Sequence, residues 1–61
     1  MAKYFEIFTN RKFFEVLRYK NFPDIKWFKK IFLMNNISIN YIKLYNREGE
    51  KRKFKKKFFL N

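Results

Sequence analysis

The residues with the strongest claim to chemistry are 51–57, Lys-Arg-Lys-Phe-Lys-Lys-Lys, where six of seven side chains are basic. In an extended strand alternate side chains share a face. That would put Lys51, Lys53, Lys55 and Lys57 on one side and Arg52, Phe54, Lys56, Phe58 and Leu60 on the other. Same-face neighbours would then stand roughly 6.6 Å apart, about twice the 3.4 Å rise per phosphate along one strand of a duplex. Such a row can follow a sugar–phosphate backbone, and lysine, a flexible point charge, positions a backbone better than it reads a base. Lysines also blunt sheet edges against aggregation, and basic runs are often no more than solvated tails. Edge protection needs one or two lysines, so residues 50–61 are expected to be a Lys-rich C-terminal strand or tail that contacts a polyanion.

Two further groups could complete such a surface. Lys26, Lys29 and Lys30 are spaced to share one face of a helix, although three lysines there are more often a plain solvated face. Arg11, Arg18 and Lys20 could extend that basic side. The rings form the second group, since single strands are commonly held by a basic groove with aromatic side chains on which bases stack. Trp27, Tyr41, Tyr45, Phe54 and Phe59 all neighbour basic residues. Most rings in so small a protein must build its core, so Tyr45 and Phe59, beside the Lys-rich segment, are the preferred stacking candidates.

Catalysis finds no foothold. The chain has no His and no Cys, so the familiar nucleophile–base pairs cannot be assembled. The side-chain hydroxyls are Thr9, Ser38 and four tyrosines. Glu48 and Glu50 sit among lysines and arginines as local charge partners. A single glycine cannot make a phosphate-cradling loop, and the acids lack the spacing of a Ca²⁺ or Mg²⁺ loop. The expectation is no enzyme, no metal, no cofactor and no small-molecule substrate.

The charge balance points the same way. Sixteen Lys and Arg against five Asp and Glu give a net charge of +11, a self-repulsion that a polyanion relieves. Lys, Asn, Phe, Ile and Tyr, all read from AT-rich codons, supply 39 of the 61 residues. Coding bias therefore accounts for part of the Lys and Phe content, but not for the imbalance of charge. The expected function is non-enzymatic nucleic-acid binding, as in a small structural component of a ribonucleoprotein such as a ribosome. RNA is preferred because no helix-turn-helix, zinc finger or basic zipper is present. The alternative is an inhibitor encoded by a phage or mobile element that binds a host protein or nucleoprotein, such as a nuclease, polymerase or defence complex. Membrane action is disfavoured: the longest apolar run is residues 31–34, far short of a span. No signal peptide is evident. A cytoplasmic, organelle-matrix or, for a viral chain, host-cytoplasmic location is expected.

The elements that must position these groups are legible unevenly. Residues 1–61 are expected to form a single small domain, with an aromatic-rich core in place of disulfides. Residues 23–34 predict an amphipathic helix: Pro23 suits the first position, and Asp24 complements the dipole. Ile25, Phe28, Ile31 and Phe32 form its apolar stripe, flanked by Trp27 and Met34, and Asn35-Asn36 form the stop. Residues 37–45 alternate as a strand. Asn46-Arg47-Glu48-Gly49 reads as a turn, and residues 50–60 return as the last strand. Residues 3–9 and 12–19, about a turn at Thr9-Asn10-Arg11, read as a hairpin or, alternatively, with a helix through 11–20. The fold expected is α+β, ββαββ, with an antiparallel sheet packed on one helix.

Overall fold

The computed structural model describes residues 2–19 and 23–60. It contains strands β1 (Ala2–Thr9) and β2 (Phe13–Arg18), helix α1 (Asp24–Met34), and strands β3 (Ile39–Glu48) and β4 (Lys51–Phe59), in that order along the chain. The strands form one antiparallel sheet of order β2-β1-β3-β4, and one helix packs on it, an α+β arrangement. Of the two readings for residues 3–19 the hairpin is the one found. Lys20, expected to extend the basic surface, lies outside the described residues.

The first turn is organised by Thr9, whose hydroxyl accepts the backbone N–H groups of Arg11 (3.1 Å) and Lys12 (3.0 Å). A threonine that satisfies the next backbone donors locally is a standard turn device. Asn10 ties this turn to the stretch before β3: its N–H bonds the Ser38 carbonyl (3.1 Å), and its side-chain oxygen accepts the Ser38 N–H (3.2 Å).

Helix α1 stops where its sequence predicts but starts one residue later, with Pro23 outside the first helical position. Pro23 is the N-cap and Asp24 lies in the first turn. Asp24 is buried and paired with Arg18, Nε to Oδ1 at 3.2 Å, so Arg18 serves the sheet–helix junction and is not part of an outer basic surface. At the far end Asn36 adopts a left-handed φ of 58°. The Asn36 N–H bonds the Leu33 carbonyl (3.0 Å) and the Ile37 N–H bonds the Phe32 carbonyl (2.9 Å), the paired bonds of a Schellman cap. Phe28 is buried, and Ile25 and Phe32 pack against the core. Ile31 is half-buried, while Met34, expected to flank the apolar stripe, is exposed.

The core lies between α1 and one face of the sheet. Phe5, Ile7, Phe28, Ile39 and Ile42 are its buried members, Phe14, Val16, Leu44 and Phe58 join them from the strands, and Leu60 joins from just beyond β4. Phe5 meets Phe28 edge to face at 5.1 Å, and Phe14 meets Phe32 likewise at 4.9 Å, the geometry favoured by the ring quadrupole.

The β3–β4 connection is tighter than expected. The strands pair as far as Glu48↔Lys51, so the turn is Gly49-Glu50 and not Asn46 to Gly49. Gly49 has φ +61°, the positive value that a two-residue II′ hairpin needs at its first loop position. Asn46 and Arg47, instead of turning, pair with Lys53 and Arg52.

Candidate nucleic-acid interface

β4 does not keep one phase along its length. Tyr45 pairs with Phe54, but Leu44 pairs with Lys56, leaving Lys55 as the additional residue of a β-bulge. A bulge shifts the two-residue alternation by one. The uninterrupted row Lys51, Lys53, Lys55, Lys57 expected from strand periodicity is therefore broken. Arg52, Phe54, Lys57 and Phe59 share one face with their partners Arg47, Tyr45, Lys43 and Tyr41. Lys51, Lys53, Lys56 and Phe58 share the other, which carries α1.

Among the described residues, the strands place seven aromatic residues on the sheet face opposite α1: Tyr4, Phe8, Phe13, Tyr41, Tyr45, Phe54 and Phe59. They fall into two rungs that cross the strands. One runs Phe13–Phe8–Tyr41–Phe59, with ring centroids 4.9, 4.4 and 6.2 Å apart and the Phe8–Tyr41 pair stacked at 21°. The other runs Tyr4–Tyr45–Phe54, at 5.7 and 5.6 Å. Tyr41 and Tyr45 are four residue steps apart along β3, roughly 13 Å of strand. The rungs are most open at β4, where Phe54 is 52% and Phe59 70% exposed; Phe13 at the β2 edge is 44% exposed, and Tyr4 on β1 is buried.

Cations lie directly on these rings. The Lys57 ammonium is 4.3 Å from the Tyr41 centroid and 4.8 Å from that of Phe59. The Arg52 guanidinium is 4.0 Å from Tyr4, and Lys43 is 5.6 Å from Phe8. Each exposed contact of this kind is worth about 0.5–1 kcal/mol, enough to hold a cation against its ring and weak enough for an arriving base or phosphate to displace it.

Between the rungs runs a row of charge, Glu15–Glu6–Lys43–Lys57, from β2 across to β4. The face is thus acidic over β2 and β1 and basic over β3 and β4. Both acids engage neighbouring phenols: the Tyr4 hydroxyl donates to Glu15, and the Tyr45 hydroxyl is held by Glu6. That hydrogen bond to Glu6, with burial and the charge of Glu6 behind it, pushes the Tyr45 phenol above its ordinary 10.0, against an opposing pull from Arg52.

The basic residues singled out in the sequence therefore divide. Arg52 and Lys57 stand with Tyr45 and Phe59 on the open face; Lys51, Lys53 and Lys56 stand on the α1 side, and Lys55 marks the bulge. Lys26, Lys29 and Lys30 are exposed on α1, along a groove that reaches Leu60, away from the aromatic rungs. Tyr45, one of the two preferred rings, is half-buried and hydrogen-bonded, which leaves Phe59 and Phe54 as the accessible planes of the β3–β4 half. Sequence reasoning missed Phe8, Phe13 and Lys43. The signal for the two phenylalanines was their symmetric placement about the Thr9 turn, which makes them direct cross-strand partners.

Among the described residues no group of acids could hold a metal ion, and no helix is long and apolar enough to cross a membrane. No protein-family model matches the chain, and no curated protein or solved structure shows significant similarity to it.

Proposed function

We propose that this chain is a non-enzymatic nucleic-acid-binding protein that holds a single strand, RNA by preference, across the β3–β4 half of its open sheet face. One observation carries the reading: accessible rings and cations alternate on the same surface. Phe59 and Phe54 end the two aromatic rungs, and Lys57 and Arg52 lie against the rings of those rungs. Bases stack on such planes at about 1–3 kcal/mol each, with little regard to sequence, while cations take the phosphates. Recognition of RNA in particular favours unpaired bases splayed over a sheet face. A strand crossing from one rung to the other covers roughly four nucleotides at a 3.4 Å rise, fewer if stretched. A chain with no chemistry of its own and a surface of this kind suits a structural part in a ribonucleoprotein.

Binding of single-stranded RNA, single-stranded DNA, duplex DNA and heparin, each followed across a salt titration, tests the proposal. The expected result is tightest binding to single-stranded RNA, with a tenfold or greater loss in the Phe54→Ala/Phe59→Ala double variant, corresponding to about 1–3 kcal/mol per lost stack. Both rings are exposed, so the variant should melt near the parent. Heparin binding as tight as RNA binding, and unchanged by the double substitution, would reduce the surface to indiscriminate charge.

A further inference from the structure

The bulge at Lys55 leaves a second cationic surface on the other side of the sheet, with a different make-up. Lys53 and Lys56 project from β4 toward the side that carries α1, Lys56 over the Phe58 ring at 5.0 Å, and Lys26, Lys29 and Lys30 line a groove beside the helix. Lys26 lines both a groove of about 520 Å³ that ends at Leu60 and a neighbouring depression floored by Leu44 and Phe58. Leu44 is the cross-strand partner of Lys56. Helix and edge strand thus flank one valley with lysine on both banks.

Two features set this valley apart from the aromatic face. Its acids are few and engaged: Glu6 and Glu15 are on the open face, Asp24 borders the depression but is buried and paired with Arg18, and Glu48 stands opposite Lys51 at the hairpin end. It also offers no accessible ring, because Phe58 is packed against the core and Trp27 faces the opposite cleft, beside Val16. Lysines without stacking planes neutralise phosphates irrespective of base.

We propose that this valley takes the phosphate backbone of a second, double-helical nucleic-acid segment. One molecule then joins a single strand on the open face to a duplex on the α1 side. The proposal rests on the open-face reading for the single strand, but its own contacts are separate.

The test immobilises a short unlabelled single-stranded RNA and asks whether limiting amounts of protein retain a labelled RNA hairpin duplex of unrelated sequence. The protein should capture the duplex. A Lys26→Gln/Lys29→Gln/Lys30→Gln/Lys56→Gln variant should keep its affinity for the single strand within about threefold, yet lose capture at least tenfold. Its salt slope for the duplex should fall by about 3–4, close to 0.9 for each phosphate contact removed. All four lysines are exposed, so folding is preserved and is checked by thermal melting. The Phe54→Ala/Phe59→Ala variant should do the converse, binding duplex alone but not the immobilised strand. Capture by the quadruple variant at the parent level would overturn the valley as the duplex contact. A parent that binds the single strand but retains no duplex would overturn the bridging proposal while leaving the open-face reading intact. A parent that binds duplex alone but no single strand would sink the open-face reading and bridging with it, leaving the valley contact to stand.

Discussion

Because β4 presents basic side chains on both sides of the sheet, charge can be removed from either face in equal amount, which separates contact from mere electrostatic attraction. Arg52→Gln/Lys57→Gln takes two cations from the aromatic face, and Lys53→Gln/Lys56→Gln takes two from the opposite face of the same strand. For single strands the logarithm of the binding constant falls with a slope of about 0.7 per phosphate contact. At about 0.1 M salt each lost contact therefore costs about fivefold in affinity, and the open-face pair about twenty-five-fold, with the slope reduced by about 1.4. The opposite pair should cost no more than about threefold, because its long-range attraction is cut off within a Debye length of about 10 Å. Removing Arg52 also lifts a cation from the Tyr4 ring, at a stability cost of about 1 kcal/mol or less, which a melting curve would register. The assay is fluorescence anisotropy of a short labelled pyrimidine RNA at four or more salt concentrations. Equal losses from the two pairs would refute the assignment of the contact to one face.

Other expectations follow from the packing. Phe28→Ala should remove about 3–5 kcal/mol, since the ring is 1% exposed and wedged against Phe5; in a domain this small the variant should be largely unfolded by circular dichroism at room temperature, and a parent-like melt would show that α1 is not seated as described. Asn36→Gly should be neutral or stabilising and Asn36→Ala destabilising by about 1 kcal/mol, because only glycine relieves the left-handed φ of 58° at no steric cost; chemical denaturation distinguishes them. Tyr45 is raised above 10.0 in the fold, so folding favours its protonated form. That contribution is present below the unfolded value and is lost as pH rises from 10.0 through the folded value. Tyrosinate absorbance should show a late transition that Tyr45→Phe removes and Glu6→Gln moves earlier; a profile unaffected by either change would discount the Glu6 bond.

The parts of the fold that announced themselves were those with chemically distinct punctuation. Pro23 and Asp24 opened α1, Asn36 closed it, and Gly49 marked the last hairpin, although the turn proved narrower because Asn46 and Arg47 find cross-strand partners. β1 and β2 were ambiguous for a physical reason. Hydrophobic alternation locates a strand only when one face is polar, and here Tyr4 and Phe8 occupy the open face while Phe5 and Ile7 fill the core. The rings of the candidate interface thus hid the period of the strand that carries them. The bulge had no signature at all: within Lys55-Lys56-Lys57 every residue is alike, so nothing in the run says where the phase changes. With the phase wrong, the lysines were gathered on one face and the division of charge between two faces was lost.

That bulge also works as a clutch between the two halves of β4. The half next to Gly49 takes its phase from the hairpin turn, and the half from Lys56 to Phe59 takes its phase from Phe58 seated in the core. Because the halves are phased independently, the tip of the ribbon can exchange or recolour its residues under selection without moving the aromatic and core positions at the root. A single-codon deletion at Lys55 would instead lock the halves into one period. Phe54 and Lys56 would then be neighbours in a regular ladder, and each side chain would keep the face it has now, with Arg52 and Phe54 on the ring side and Lys51 and Lys53 on the helix side. The division of labour between the two surfaces of this small sheet holds because Lys55 stays out of the ladder; drawn into it, the same residue would turn the outer half over.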